Sequence, residues 1–226
     1  MTWLANLYRS ALGKKAVMAV TGLILFGFVL GHMIGNLKLY LGAAHLNEYA
    51  EALRTLFMPI VPREGALWIA RVVLLVAVLF HIHSAYVLTM MNRAARPIAY
   101  RDRDFVKASY ASRTMRWGGV IILLFIIYHL LHLTLGWVQR DTFIHGDVYH
   151  NVVAGFQVWW ISAFYILANL ALGLHLYHGV WSMFSSVGLT HARFNPWRRT
   201  FATAFAVLIT VANISFPIAV LVGIVR

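Results

Sequence analysis

Residues 16–36 read AVMAVTGLILFGFVLGHMIGN, an apolar run with no charged side chain and a single histidine near its end. At about 1.5 Å of helix rise per residue, such a run covers the roughly 30 Å hydrocarbon core of a bilayer. Arg9, Lys14 and Lys15 precede it, as a secretory leader would require, but it is long enough to span and no A-x-A-like cleavage site closes it. A retained transmembrane helix is therefore expected. Four more apolar runs follow, at residues 66–91, 117–138, 158–184 and 201–225. Lipid offers the backbone no hydrogen-bond partner, so each run must be a helix. Barrel strands would be shorter and alternating. The expected fold is an all-α integral membrane protein: one domain, residues 1–226, folded as a five-transmembrane-helix bundle.

Composition agrees. The chain is 61% hydrophobic and 12% charged, against about 45–50% and about 25% in soluble domains. It has no cysteine, which excludes disulfides, thiolate zinc sites, iron–sulfur clusters on this chain and covalent haem attachment through C-x-x-C-H. The net charge is +12, but the basic residues sit between apolar runs, where they set topology and do not point to nucleic acid. Thirteen of the 19 lie in three alternate segments: Arg9, Lys14 and Lys15; Arg93, Arg96, Arg101, Arg103, Lys107, Arg113 and Arg116; and Arg193, Arg198 and Arg199. The positive-inside rule then places the N-terminus in the cytoplasm and the C-terminus outside. The long connection after the first span contains residues 46–56, which suit a short interfacial helix.

Seven of the 11 histidines fall within the spans: His32, His81, His83, His129, His132, His175 and His178. No Asp or Glu does. Ionisable groups in lipid are costly and functional by default. One such imidazole is readily explained by an interhelical hydrogen bond, but seven on four helices are not. Counted along their helices, His32 and His129 belong to the outer half of the membrane, and His81 and His175 to the inner half. Two levels with two histidines each suit two bis-imidazole haems. Zinc or copper transport would add carboxylate, Cys or Met ligands; the spans have no acid or Cys, though Met33, Met90 and Met91 keep copper from being excluded. A proton relay would include acids. Haem iron needs only axial imidazoles, and the basic loops could pair with its propionates. His81 and His83 are about 200° apart on a helix, so only one faces the bundle centre. His129 and His132 share a face, as do His175 and His178, and periodicity leaves both choices open.

Four segments resemble the five-helix, di-haem cytochrome b subunit of succinate dehydrogenases and fumarate reductases, and the resemblance covers nearly the whole chain. They are GFVLGHMIGN around His32, LFHIHSAY around His81, RWGGVIILLFIIYH ending at His129, and HLYHGVWSMF starting at His175. Gly119, ten residues before His129, matches a glycine of the family. The resemblance implies that His32 and His129 ligate an outer haem b and His81 and His175 an inner one. His83, His132 and His178 then become supporting candidates. It further implies a bacterial cytoplasmic membrane, an iron–sulfur subunit and a flavoprotein with FAD as partners, and a quinone, menaquinone by type, as electron acceptor. Succinate would bind on the flavoprotein, not on this chain. Some family members carry an acid two positions before the fourth-span ligand, where this chain has Gly173. Glu48 and Glu51 in the outer loop are candidates for handling quinone protons, or simply solvated carboxylates. Other readings of the histidines are a different quinone-linked di-haem cytochrome (nitrate reductase or formate dehydrogenase type), a histidine-lined transporter, or a structural anchor.

Overall fold

A computed structural model describes residues 2–95, 110–186, 188–189, 191 and 195–226. Among them there are helices and connections but no strand. Helix α1 is Thr2–Arg9 and α2 is Ala11–Asn36, continued by a 3-10 turn, Leu37–Leu41. Helix α3 (Ala43–Arg54) lies in the first connection, close to the segment expected to be interfacial. Helices α4 (Gly65–Ala94) and α5 (Tyr110–His129) follow, and α5 widens into a π turn, Leu130–Thr134. Helices α6 (Val148–Gln157), α7 (Trp159–Ser186) and α8 (Asn195–Leu221) complete the chain. Five stretches are long and apolar enough to cross a membrane: Ala11–Leu41, Gly65–Ala94, Thr114–Thr134, Trp159–Ser186 and Asn195–Leu221. Of the basic residues used to orient the chain, Arg96, Arg101, Arg103, Lys107 and Arg193 lie outside the described residues.

Local chemistry sets the ends. Ser10 breaks α1 from α2, and its hydroxyl caps α2 by accepting from the Gly13 N–H at 3.0 Å. Gly42, at φ 95°, takes a left-handed turn that suits glycine and lets α3 start across the bundle end. Asp147 caps α6, accepting from the His150 N–H at 2.9 Å.

The spans pack in a definite order. Helix α4 lies along α2, α2 touches α7, and α5 lies along α7, while α8 covers α7 and the edge of α2. Four helices thus stand in the order α4, α2, α7, α5, an array that is open between α4 and α5 among the described residues. Neither α2 with α5 nor α4 with α7 packs along its length, so these pairs are the diagonals. Close approach of α7 and α8 depends on Gly173, since a Cβ there would collide with the Thr210 side chain. The Asn213 amide donates to Asn169 across the same interface at 3.0 Å, and the Tyr40 hydroxyl donates to Ser215 at 2.6 Å. Such interhelical bonds replace the hydrophobic force that lipid cannot supply.

The outward surface is apolar. Leu23, Val72, Leu75, Leu124, Leu167 and Val211 are all exposed, an arrangement stable only against lipid. Trp3, Trp68, Trp117, Trp137 and Trp197 are exposed near span ends, where amphipathic rings anchor at the interface.

Candidate functional site

Two pairs of imidazoles meet across the diagonals of this array. His32 on α2 and His129 on α5 have ring centroids 5.8 Å apart, with planes at 83°. His81 on α4 and His175 on α7 have centroids 6.3 Å apart, with planes at 57°. Consider two imidazoles trans across one metal ion. With a metal–nitrogen bond of about 2 Å and about 1.2 Å from nitrogen to ring centre, their centroids stand about 6 Å apart. Both pairs have that spacing.

The pairs occupy two levels. Thr21 of α2 lies beside His81, with 3.2 Å between its Oγ1 and Nδ1. Thr21 and His32 are 11 positions apart, so the levels differ by about 16 Å along α2. On α5, Gly119 faces His175: a Cβ there would lie 3.8 Å from Cε1 of the ring. Gly119 and His129 are 10 positions apart, giving about 15 Å along α5. Two helices thus return the same separation.

Each ring has its own surroundings. The Thr21 hydroxyl donates its one hydrogen to the Val17 carbonyl at 2.8 Å. Its oxygen can then only accept from His81 Nδ1–H, which leaves Nε2 of His81 as a bare lone pair. Gly22 lies beside that ring, where a Cβ would make an ordinary contact 3.5 Å from His81 Cε1. His83 points elsewhere. Its Nε2 is 3.3 Å from Lys14 Nζ, and its ring stacks with Tyr8 at 6.4 Å. Lys14 itself is buried, 3.3 Å from the centre of the Tyr8 ring. His129 Nδ1 is 3.3 Å from the Tyr165 hydroxyl, and His132 Nδ1 is 2.9 Å from the same atom. The His32 ring stacks on Phe28 at 5.3 Å. His175 Nδ1 is buried without a hydrogen bond of normal geometry, although the Met115 carbonyl faces the ring. His178 Nδ1 is also buried and unbonded, and that ring meets Trp181 edge-on. A cavity of about 180 Å³ between α5 and α7 reaches His175, lined by Thr114, Met115, Trp117, Gly118 and Ile121.

Glu48 and Glu51 lie on α3. Glu51 is paired with Arg63 at 2.6 Å and with Arg54 at 3.4 Å, and Glu48 is exposed. Among the described residues no hydrogen bond or ion pair joins either carboxylate to a histidine.

Donor chemistry tests what these sites could hold. Each offers two imidazoles and no acid. Among the described residues no group of three or more His, Cys, Asp or Glu gathers as a metal-ion cluster. A bare zinc or copper ion would take further protein ligands. A haem brings four nitrogens of its own and asks the protein for two axial ligands, so the residues present fit that group. The sequence pointed to the histidines but not to Thr21, Gly22, Gln139 or Tyr165, which surround them. Thr21 and Tyr165 were visible only as polar groups within apolar runs. No family model, no curated protein and no solved structure matches the chain.

Proposed function

We propose that this chain is the di-haem cytochrome b membrane anchor of a succinate:quinone oxidoreductase. The observation that carries the reading is the pair of histidine pairs at ligand spacing, each joining two helices that are not neighbours in the array. His32 and His129 would hold one haem b and His81 and His175 the other. Bound there, the haems supply one-electron steps between an iron–sulfur partner and a quinone of menaquinone type. The chain's own residues fix where those steps occur. Thr21 holds the His81 ring and its lone pair in place, and Gly22 of α2 and Gly119 of α5 flank the His81 and His175 rings.

The basic end of the bundle carries Arg9, Lys15, Arg93, Arg116 and Arg199, all exposed. That end is assigned to the cytoplasmic face of a bacterial plasma membrane. The iron–sulfur subunit and the FAD flavoprotein would dock there, and the flavoprotein, not this chain, would bind succinate.

Purification from native membranes in mild detergent tests the assignment. A covalent flavin subunit and an iron–sulfur subunit should accompany the chain, and succinate should reduce its haem. A molybdopterin partner would instead assign it to a nitrate reductase or formate dehydrogenase type of complex. A folded, haem-free chain would leave a histidine-lined transporter as the better reading.

A further inference from the structure

A hydrogen-bonded chain of four side chains runs from the connection after α5 to one of the paired histidines. Its members are Gln139, His132, Tyr165 and His129. His132 is 1% exposed and Tyr165 is 4% exposed, so water does not compete for these bonds. The direction of each bond follows from its neighbour. Gln139 Oε1 can only accept, so His132 Nε2, 3.0 Å away, donates to it. A neutral imidazole then has its lone pair on Nδ1, and the Tyr165 hydroxyl donates to that atom at 2.9 Å. Tyr165 has no second hydrogen, so its oxygen accepts from His129 Nδ1–H at 3.3 Å. His129 is left with a bare lone pair on Nε2.

We propose that Gln139, His132 and Tyr165 are positioning residues that fix the tautomer of His129, preparing Nε2 as the ligand atom. That the ligand atom meets haem iron rests on the di-haem reading; the tautomer is a property of the chain alone. Two further observations support the relay. Gly155 of α6 is required by it, because a Cβ there would lie 2.7 Å from His132 Nε2 and 3.3 Å from Gln139 Oε1. At the other level the Thr21 hydroxyl, committed to a backbone carbonyl, produces the same Nδ1–H tautomer on His81 by different means. Outer partners of this kind fix ring orientation and tautomer in metal sites generally.

Gln139 is only half-buried and lies in a connection, so substitution there disturbs the helices little. Gln139→Glu keeps an acceptor, whereas Gln139→Lys offers only donors. With Lys, His132 Nε2 must accept, its Nδ1–H donates to Tyr165, and the Tyr165 hydroxyl donates to His129 Nδ1. The His129 hydrogen then moves to Nε2. The experiment is ring-nitrogen NMR of the full-length, ¹⁵N-histidine-labelled chain in detergent, produced in cells unable to make haem. Haem content is measured in parallel on normally produced protein.

Wild type and Gln139→Glu should show Nδ1–H on His129. Gln139→Lys should shift the tautomer ratio toward Nε2–H by about fivefold or more, the worth of one hydrogen bond. Haem at the His32/His129 site should fall by a similar factor, with His81 unchanged. Gly155→Ala, which adds no charge, should shift His129 the same way. Nε2–H on His129 in wild type, or a Gln139→Lys spectrum identical to wild type, would overturn the relay. A chain that binds no haem yet shows these tautomer shifts would retain the relay and sink the di-haem reading instead.

Discussion

At the scale of single residues, Thr21 and Tyr165 carry predictions that the histidines alone do not. Thr21→Val keeps the shape of the side chain and removes the oxygen that His81 Nδ1–H bonds. Haem retention at the His81/His175 site should weaken about 10- to 100-fold, read by haem titration, with the His32/His129 site unaffected. Equal loss at both sites would contradict the assignment of Thr21 to one level. Tyr165→Phe leaves Nδ1 of both His129 and His132 buried without their shared partner. The cost should be about 1–3 kcal/mol, seen as a lower thermal unfolding midpoint. The histidines were legible in the sequence because an imidazole is costly in lipid and conspicuous there. Their partners were not. Threonine and tyrosine are ordinary in membrane helices, and only the packing shows that Thr21 faces His81 and Tyr165 faces two rings at once. The angular argument at His81 and His83 agrees with the two rings' different surroundings. It had nothing to offer at His129 and His132, which share a face and both meet Tyr165.

At the scale of elements, the junction between α3 and α6 is sensitive to acid. The backbone N–H of His150 and the side-chain amide of Asn47 both bond the Asp147 carboxylate, and they hold its carboxyl below the usual carboxylate range. Because the folded value is depressed, ionised Asp147 stabilises the cap fully above its unfolded pKa of about 3.9. That contribution is lost as the pH falls through the lower, folded value. Amide exchange at His150 and Tyr149 should accelerate below pH about 4, and Asp147→Ala should show the fast rate at every pH. A second test concerns the packing of α7 on α8. Gly173→Ala forces a methyl against Thr210 and should cost about 1–3 kcal/mol. The five spans were legible from hydropathy, and helix α3 from its long connection. Helix α6 was not, because it is too short to span, carries His150, Asn151 and Gln157 among its apolar residues, and is parted from α7 only by the extended Val158. The π turn after His129 has no signature in composition, since it is a change of hydrogen-bond partner.

At the scale of the molecule, orientation is testable because the chain has no cysteine, so any introduced thiol is unique. Ile60 is 89% exposed in the connection before α4, and Arg93 is exposed at the far end of that helix. In intact cells a membrane-impermeant maleimide should label Ile60→Cys, and it should label Arg93→Cys only after permeabilisation. The reverse pattern would invert the topology and move the docking face of the soluble partners. The two levels of histidine were legible because counting along straight helices gives depth directly. The diagonals were not. Hydropathy says which segments cross the membrane but not which of them stand side by side, and that arrangement makes His32 meet His129 and His81 meet His175.

The most direct test of the central claim is a haem count on the purified chain, by reduced-minus-oxidised spectra and pyridine haemochrome, in wild type and in the four ligand variants. Two haem b per chain are expected. His32→Ala and His129→Ala should each lose one, His81→Ala and His175→Ala the other, and His83→Ala neither. A folded wild-type chain without haem, or a variant pair that crosses the two diagonals, would contradict the account.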